Sequence, residues 1–121
     1  MSVDLSMPVL VVHDYPTMGS IVTNVLKKIG FAHVEDVADG KRALRKLRDK
    51  AYGLVISDDV MASMSGEELL RAMRAQKRHA ATPFLLLASP HKVDCAGRAD
   101  VVAKPFNART LQTKIAALLK H

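Results

Sequence analysis

Asp58 and Asp59 follow the apolar run YGLVIS, and the same arrangement recurs along the chain. His13 and Asp14 follow PVLVV, Ala88 and Ser89 follow PFLLL, and Lys104 and Pro105 follow VVA. Short β-rich apolar runs of this kind read as strands buried on both faces. In a parallel sheet, the carboxyl ends of neighbouring strands open onto one crevice. Two strand-end carboxylates, Asp14 and Asp58, and the amine of Lys104 are then expected to meet in a shallow polar pocket. Carboxylates with a backbone carbonyl and water suit a hard cation such as Mg²⁺. A nearby lysine holds a phosphoryl oxygen as a point charge. Together these groups suit phosphoryl transfer onto a carboxylate.

The elements that must position them alternate regularly. A first strand over 8–12 leads to Pro16, well placed for a helix's first turn. Met18, Ile21, Val22, Val25, Leu26 and Ile29 follow at helical spacing, and Gly30 supplies a stop. Residues 33–37 form a short second strand. Asp39-Gly40 opens a second helix with Ala43, Leu44 and Leu47 inward. A third strand spans 52–57. Ser65-Gly66-Glu67-Glu68 is a capping box that starts a third helix carrying Leu69, Leu70 and Met73. Residues 83–87 and 101–103 are the fourth and fifth strands. Asn107 caps a last helix with an apolar stripe of Leu111, Ile115 and Leu118. Alternation of this kind predicts an α/β, doubly wound parallel sheet. Only HKVDCAGRA separates Pro90 from Asp100. That is room for about two helical turns, so the fourth crossover helix is expected to be short or absent.

The 121 residues suit a single domain over 1–121. One cysteine excludes an internal disulfide, and no apolar run approaches bilayer length. A soluble, cytoplasmic protein without membrane insertion is expected. The net charge of +6 is concentrated in KRALRKLRDK (41–50) and RAMRAQKRH (71–79). Both blocks carry apolar residues at helical spacing and read as solvated helix faces. With few aromatic residues to stack bases, nucleic-acid binding is not expected.

The stretches LVVHDYPTM, VEDVADGKRAL, YGLVISD, MSGEELL and KPF resemble those of two-component response-regulator receiver domains of the CheY-like type. The resemblance covers nearly the whole chain, and the combination VISD, M-x-G and KPF is specific. It implies a flavodoxin-like, five-stranded sheet of order 2-1-3-4-5. It further implies Asp58 as phosphoacceptor. Mg²⁺ would be held by Asp14, Asp58 and the backbone carbonyl of Val60, with Lys104 on the phosphoryl group. The partners implied are a histidine kinase or phosphotransfer protein and an output protein reached by docking. The chain is expected to be a signalling acceptor and not an enzyme, beyond its own phosphorylation and dephosphorylation. A haloacid-dehalogenase type of hydrolase also uses an aspartate and a lysine, but it needs a second aspartate where Val60 stands.

Three positions depart from the receiver pattern. His13 replaces an acidic residue, which removes negative charge from the pocket and predicts weakened Mg²⁺ binding. Ala88 replaces the Ser or Thr that hydrogen-bonds the phosphoryl group, and its methyl donates nothing. Ser89 is adjacent, but successive strand residues face opposite ways. Val101 replaces the aromatic switch residue. The alternative is therefore a phosphorylation-independent pseudo-receiver acting by protein binding.

Overall fold

Every strand of the sheet runs parallel to its neighbours, in the order β2-β1-β3-β4-β5. The computed structural model describes residues 5–14, 16–61, 64–88, 100–104 and 106–119. In chain order the elements are β1 (Val9–Val12), α1 (Pro16–Ile29), β2 (Val34–Val37), α2 (Gly40–Asp49), β3 (Leu54–Asp58), α3 (Gly66–Arg74), a short 3₁₀ turn (Lys77–His79), β4 (Phe84–Ala88), β5 (Asp100–Ala103) and α4 (Ala108–Leu119). The CheY-like topology expected from the sequence is the one observed. The shortened fourth crossover falls on residues 89–99, outside the described ones.

Side chains alternate across the pleat, which splits the core into two apolar layers. Leu10, Val12, Val55 and Leu86 pack with Ala43 and Leu47 of α2 and Leu69 and Met73 of α3. Val9, Val11, Ile56, Leu85 and Leu87 pack on the other face with Val22, Val25 and Leu26 of α1 and Leu111 and Ile115 of α4. Each fully buried aliphatic side chain contributes roughly 1.5–3 kcal/mol. Together the two layers hold the strand ends rigidly in place.

Local signals account for the boundaries. The Ser65–Glu68 capping box is formed in both directions. Asp39 caps α2 by accepting from the Arg42 N–H at 2.8 Å, and Asn107 accepts from the Thr110 N–H at 2.8 Å. Gly30, with φ of +122°, follows the end of α1.

The strand bounds shift by one or two residues from the sequence reading, most informatively in the third and fourth strands. The third strand begins later than expected and runs through Asp58, because its register with β1 starts at Val9↔Leu54. The fourth strand starts after Pro83, which lacks an N–H but accepts from the Val55 N–H at 3.0 Å. Ile21 was expected on the inner stripe of α1 but is 37% exposed. It lies at the margin of the arc occupied by Val22, Val25 and Leu26. The basic blocks are largely solvated, as the helical spacing suggested. Two arginines bend back: Arg74 donates to the carbonyls of His79 and Thr82, and Arg78 to that of Arg48.

Candidate functional site

Asp58 is the last residue of β3 and is fully buried. Its Oδ1 accepts from the Asp59 N–H at 2.9 Å and forms an ion pair with Lys104 Nζ. Its Oδ2 is buried and has no hydrogen-bond partner among the described residues. The position is held from two sides. β3 pairs with β4 so that Asp58 lies opposite Leu87. Beyond the strand, the Asp59 N–H donates to the Leu87 carbonyl at 3.0 Å and the Gly66 N–H to the Asp59 carbonyl at 2.9 Å. A Cβ on Gly66 would collide with the Asp58 carbonyl and with Leu86. Glycine at the start of α3 thus lets that helix close directly onto the end of β3.

Lys104 follows β5, and its backbone N–H donates to the Ala88 carbonyl at 2.8 Å. This fastens the lysine beside the end of β4. Its Nζ meets Asp58 and, at 2.7 Å, Asp59 Oδ1. Burial works against the Lys104 charge, but hydrogen bonds to Asp58 and Asp59 outweigh it and raise the lysine's pKa above the ordinary value. Asp58 is raised as well, first by burial and then by neighbouring Asp59, with Lys104 pulling the other way. The arrangement is two buried carboxylates on one ammonium.

The β1 end is different. His13 packs against Gly19 of α1, where any larger residue would overlap the imidazole. Its Nε2 lies 3.3 Å from Asp36 Oδ2 at the end of β2, and its Nδ1 is buried without a partner among the described residues. The imidazole is thus engaged with β2. Asp14 is exposed just beyond β1, and Val60 is 55% exposed beyond β3. Ala88 is fully buried, and Val101 packs partly buried against the same apolar layer. Ser89 lies outside the described residues.

The donors that the receiver resemblance implies are of the kind Mg²⁺ takes. Asp14, Asp58 and the Val60 carbonyl offer only oxygen, and the orphaned Asp58 Oδ2 is a carboxylate oxygen left for a ligand. Among the described residues, no three His, Cys, Asp or Glu side chains could together hold a metal ion. Mg²⁺ does not require such a cage, because it commonly binds through one or two carboxylates and keeps several waters.

Three features escaped the sequence reading. Asp59 was given no role; the acidic doublet after an apolar strand was the available signal. Asp36 as the partner of His13 had no signal at all. Glu35 gathers Lys46, Lys50 and the Tyr52 hydroxyl. Burial pushes its carboxyl up, but these donors outweigh it and bring its pKa down to about 2.

A parallel sheet of this order with a strand-end aspartate–lysine pair defines the receiver class of signalling domains. The chain matches the response regulator receiver domain family over residues 9–116 and belongs to it. It is 34% identical over 121 residues to the chemotaxis protein CheY of Pseudomonas aeruginosa, across 95% of this chain and 98% of that one. Identity to CheY-3 of Vibrio cholerae is 33%, across 91% and 89% of the respective chains. The structure of the chemotaxis response regulator CheY4 of Vibrio cholerae is similar with a TM-score of 0.83 and 33% identity, covering 94% of this chain and 99% of that one. Response regulator TrrA from Thermotoga maritima, solved in complex with Mg(2+)-BeF, is similar with a TM-score of 0.80 and 30% identity, covering 93% and 99%. No helix among the described residues is long and apolar enough to cross a membrane.

Proposed function

We propose that this chain is a receiver in a two-component phosphorelay, accepting a phosphoryl group on Asp58 and signalling by docking to another protein. The single observation that carries this reading is the split environment of the Asp58 carboxylate. Oδ1 is tied to Lys104 and the Asp59 amide, while Oδ2 has no partner among the described residues. A buried unpaired carboxylate oxygen is costly, and such groups concentrate where chemistry is done.

In the proposed transfer, a lone pair of the Asp58 carboxylate forms the new O–P bond. The P–N bond of a phosphohistidine donor breaks, and its electron pair returns to the imidazole nitrogen. Asp58 must be ionised to attack, and the Lys104 ammonium favours that state against the burial that opposes it. The same ammonium faces the charge that develops on the transferred group. Asp14, Asp58 and the Val60 carbonyl would hold Mg²⁺. When bound, the cation neutralises charge on phosphoryl oxygens.

Incubation with acetyl phosphate and Mg²⁺, followed by intact mass, tests the reading. A phosphoryl adduct that is absent in Asp58→Asn is expected; no adduct, or one that persists in the variant, overturns it. A second reading, a phosphorylation-independent interaction module, is favoured by the buried methyl of Ala88. That methyl leaves the phosphoryl group one donor short. It predicts partner binding that Asp58→Asn leaves unchanged.

A further inference from the structure

Acceptance on Asp58 needs one strand-end carboxylate beside the lysine, and this site holds two. Asp59 is 1% exposed, and its Oδ1 lies 2.7 Å from the same Nζ that pairs with Asp58. It is not a side chain that drifted there. Its backbone N–H is fixed to Leu87 and its carbonyl to Gly66, at 3.0 and 2.9 Å. These bonds lock the β3–α3 corner that aims the carboxylate at Lys104.

Resting on the reading of Asp58 as acceptor, we propose that Asp59 is a positioning residue that restrains Lys104 and competes with the phosphoryl group for it. An ammonium has three N–H donors, and two are committed to Asp58 and Asp59. A phosphoryl group brings close to two further negative charges. It meets a lysine already shared between two anions, with Ala88 offering no hydroxyl to help. To neutralise the group fully, Lys104 must turn away from Asp59. That deprives a buried carboxylate of this cation, which is strongly unfavourable. The consequence is slow acceptance and a short-lived adduct, built into the residue next to the acceptor.

The test compares wild type, Asp59→Asn, Asp59→Glu and Asp58→Asn with acetyl phosphate and Mg²⁺. Intact mass gives the rate of adduct formation, and its decay after donor removal gives the lifetime. Thermal unfolding is recorded in parallel, and Asp59→Ser stands in if the amide variant does not fold. Asp59→Asn is expected to form the adduct on the order of tenfold faster and to hold it longer. Asp59→Glu, which restores the charge, should return both values toward wild type. A purely structural role would move the unfolding temperature without this charge-dependent pattern. An adduct seen only once Asp59 is neutralised also supports the proposal. Equal rates and lifetimes in wild type and Asp59→Asn, with Asp58→Asn inert, overturn the proposal and leave Asp58 as acceptor. An adduct that survives in Asp58→Asn, or none in any variant, overturns both.

Discussion

Replacing Lys104 with methionine removes a cation paired with both Asp58 and Asp59. The apolar volume is roughly kept while two buried carboxylates lose the ammonium they share. Removing one partner of a buried pair costs about 3–5 kcal/mol. Lys104 keeps 25% of its side chain exposed, so water reaches one end of the cluster and the lower figure, about 3 kcal/mol, is expected. The sign with pH follows from the groups involved. The Lys104 pKa is raised by its carboxylates, so its stabilisation is complete below the ordinary lysine value of 10.5 and is lost only as pH rises through the raised one. In Lys104→Met, the Asp58 carboxyl, already raised by burial, loses the ammonium that pulls it down and is relieved when protonated. The penalty is therefore full near neutrality and shrinks as the solution is acidified. Urea unfolding followed by circular dichroism, in chelator, at about pH 5 and about pH 7.5 measures it. A penalty below about 1 kcal/mol, as for a surface pair, or one that does not fall on acidification, would refute the reasoning.

Three further outcomes are expected. Restoring a carboxylate with His13→Asp should tighten Mg²⁺ binding about tenfold, or about 1.4 kcal/mol, measured by titration; equal affinities would show that the imidazole does not weaken the site. Glu35, held near a pKa of about 2 against an ordinary 4.5, contributes stability that is full above 4.5 and lost as pH falls towards 2. Wild type should lose up to about 3 kcal/mol across that window, whereas Glu35→Gln should show a flatter profile in acid unfolding. Gly66→Ala forces a methyl against the Asp58 carbonyl and Leu86. It should cost about 1–3 kcal/mol and slow adduct formation, and unchanged stability and rate would contradict the packing of α3 on β3.

The legible parts of the fold are those written in short-range chemistry. PVLVV and PFLLL read as strands because nothing polar interrupts them. The Ser65–Glu68 capping box and the Asn107 cap announce their helices three residues ahead of the N–H each satisfies. The candidate site was legible to the extent that strand ends were. Asp58 and Lys104 fall together because β3, β4 and β5 are adjacent in the sheet. Ile21 was misread for a related reason: periodicity marks a stripe, while its margin is decided by the neighbouring element.

His13 shows the remaining limit most plainly. As residue types, His13-Asp14 announced a pocket with one carboxylate missing, and that substitution is a property of the chain alone. The direction in which the imidazole turns is not. It depends on a glycine at 19 that leaves room and on Asp36 across the β1–β2 register. Asp59 is the same case on the other side of the crevice. The acidic doublet is visible in the chain, yet its hold on Lys104 spans 45 residues and exists only because β5 is laid beside β4. Strand, cap and acceptor chemistry depend on neighbours along the chain. The charge shared at Lys104 depends on which strand ends the sheet makes adjacent, and close packing settles that.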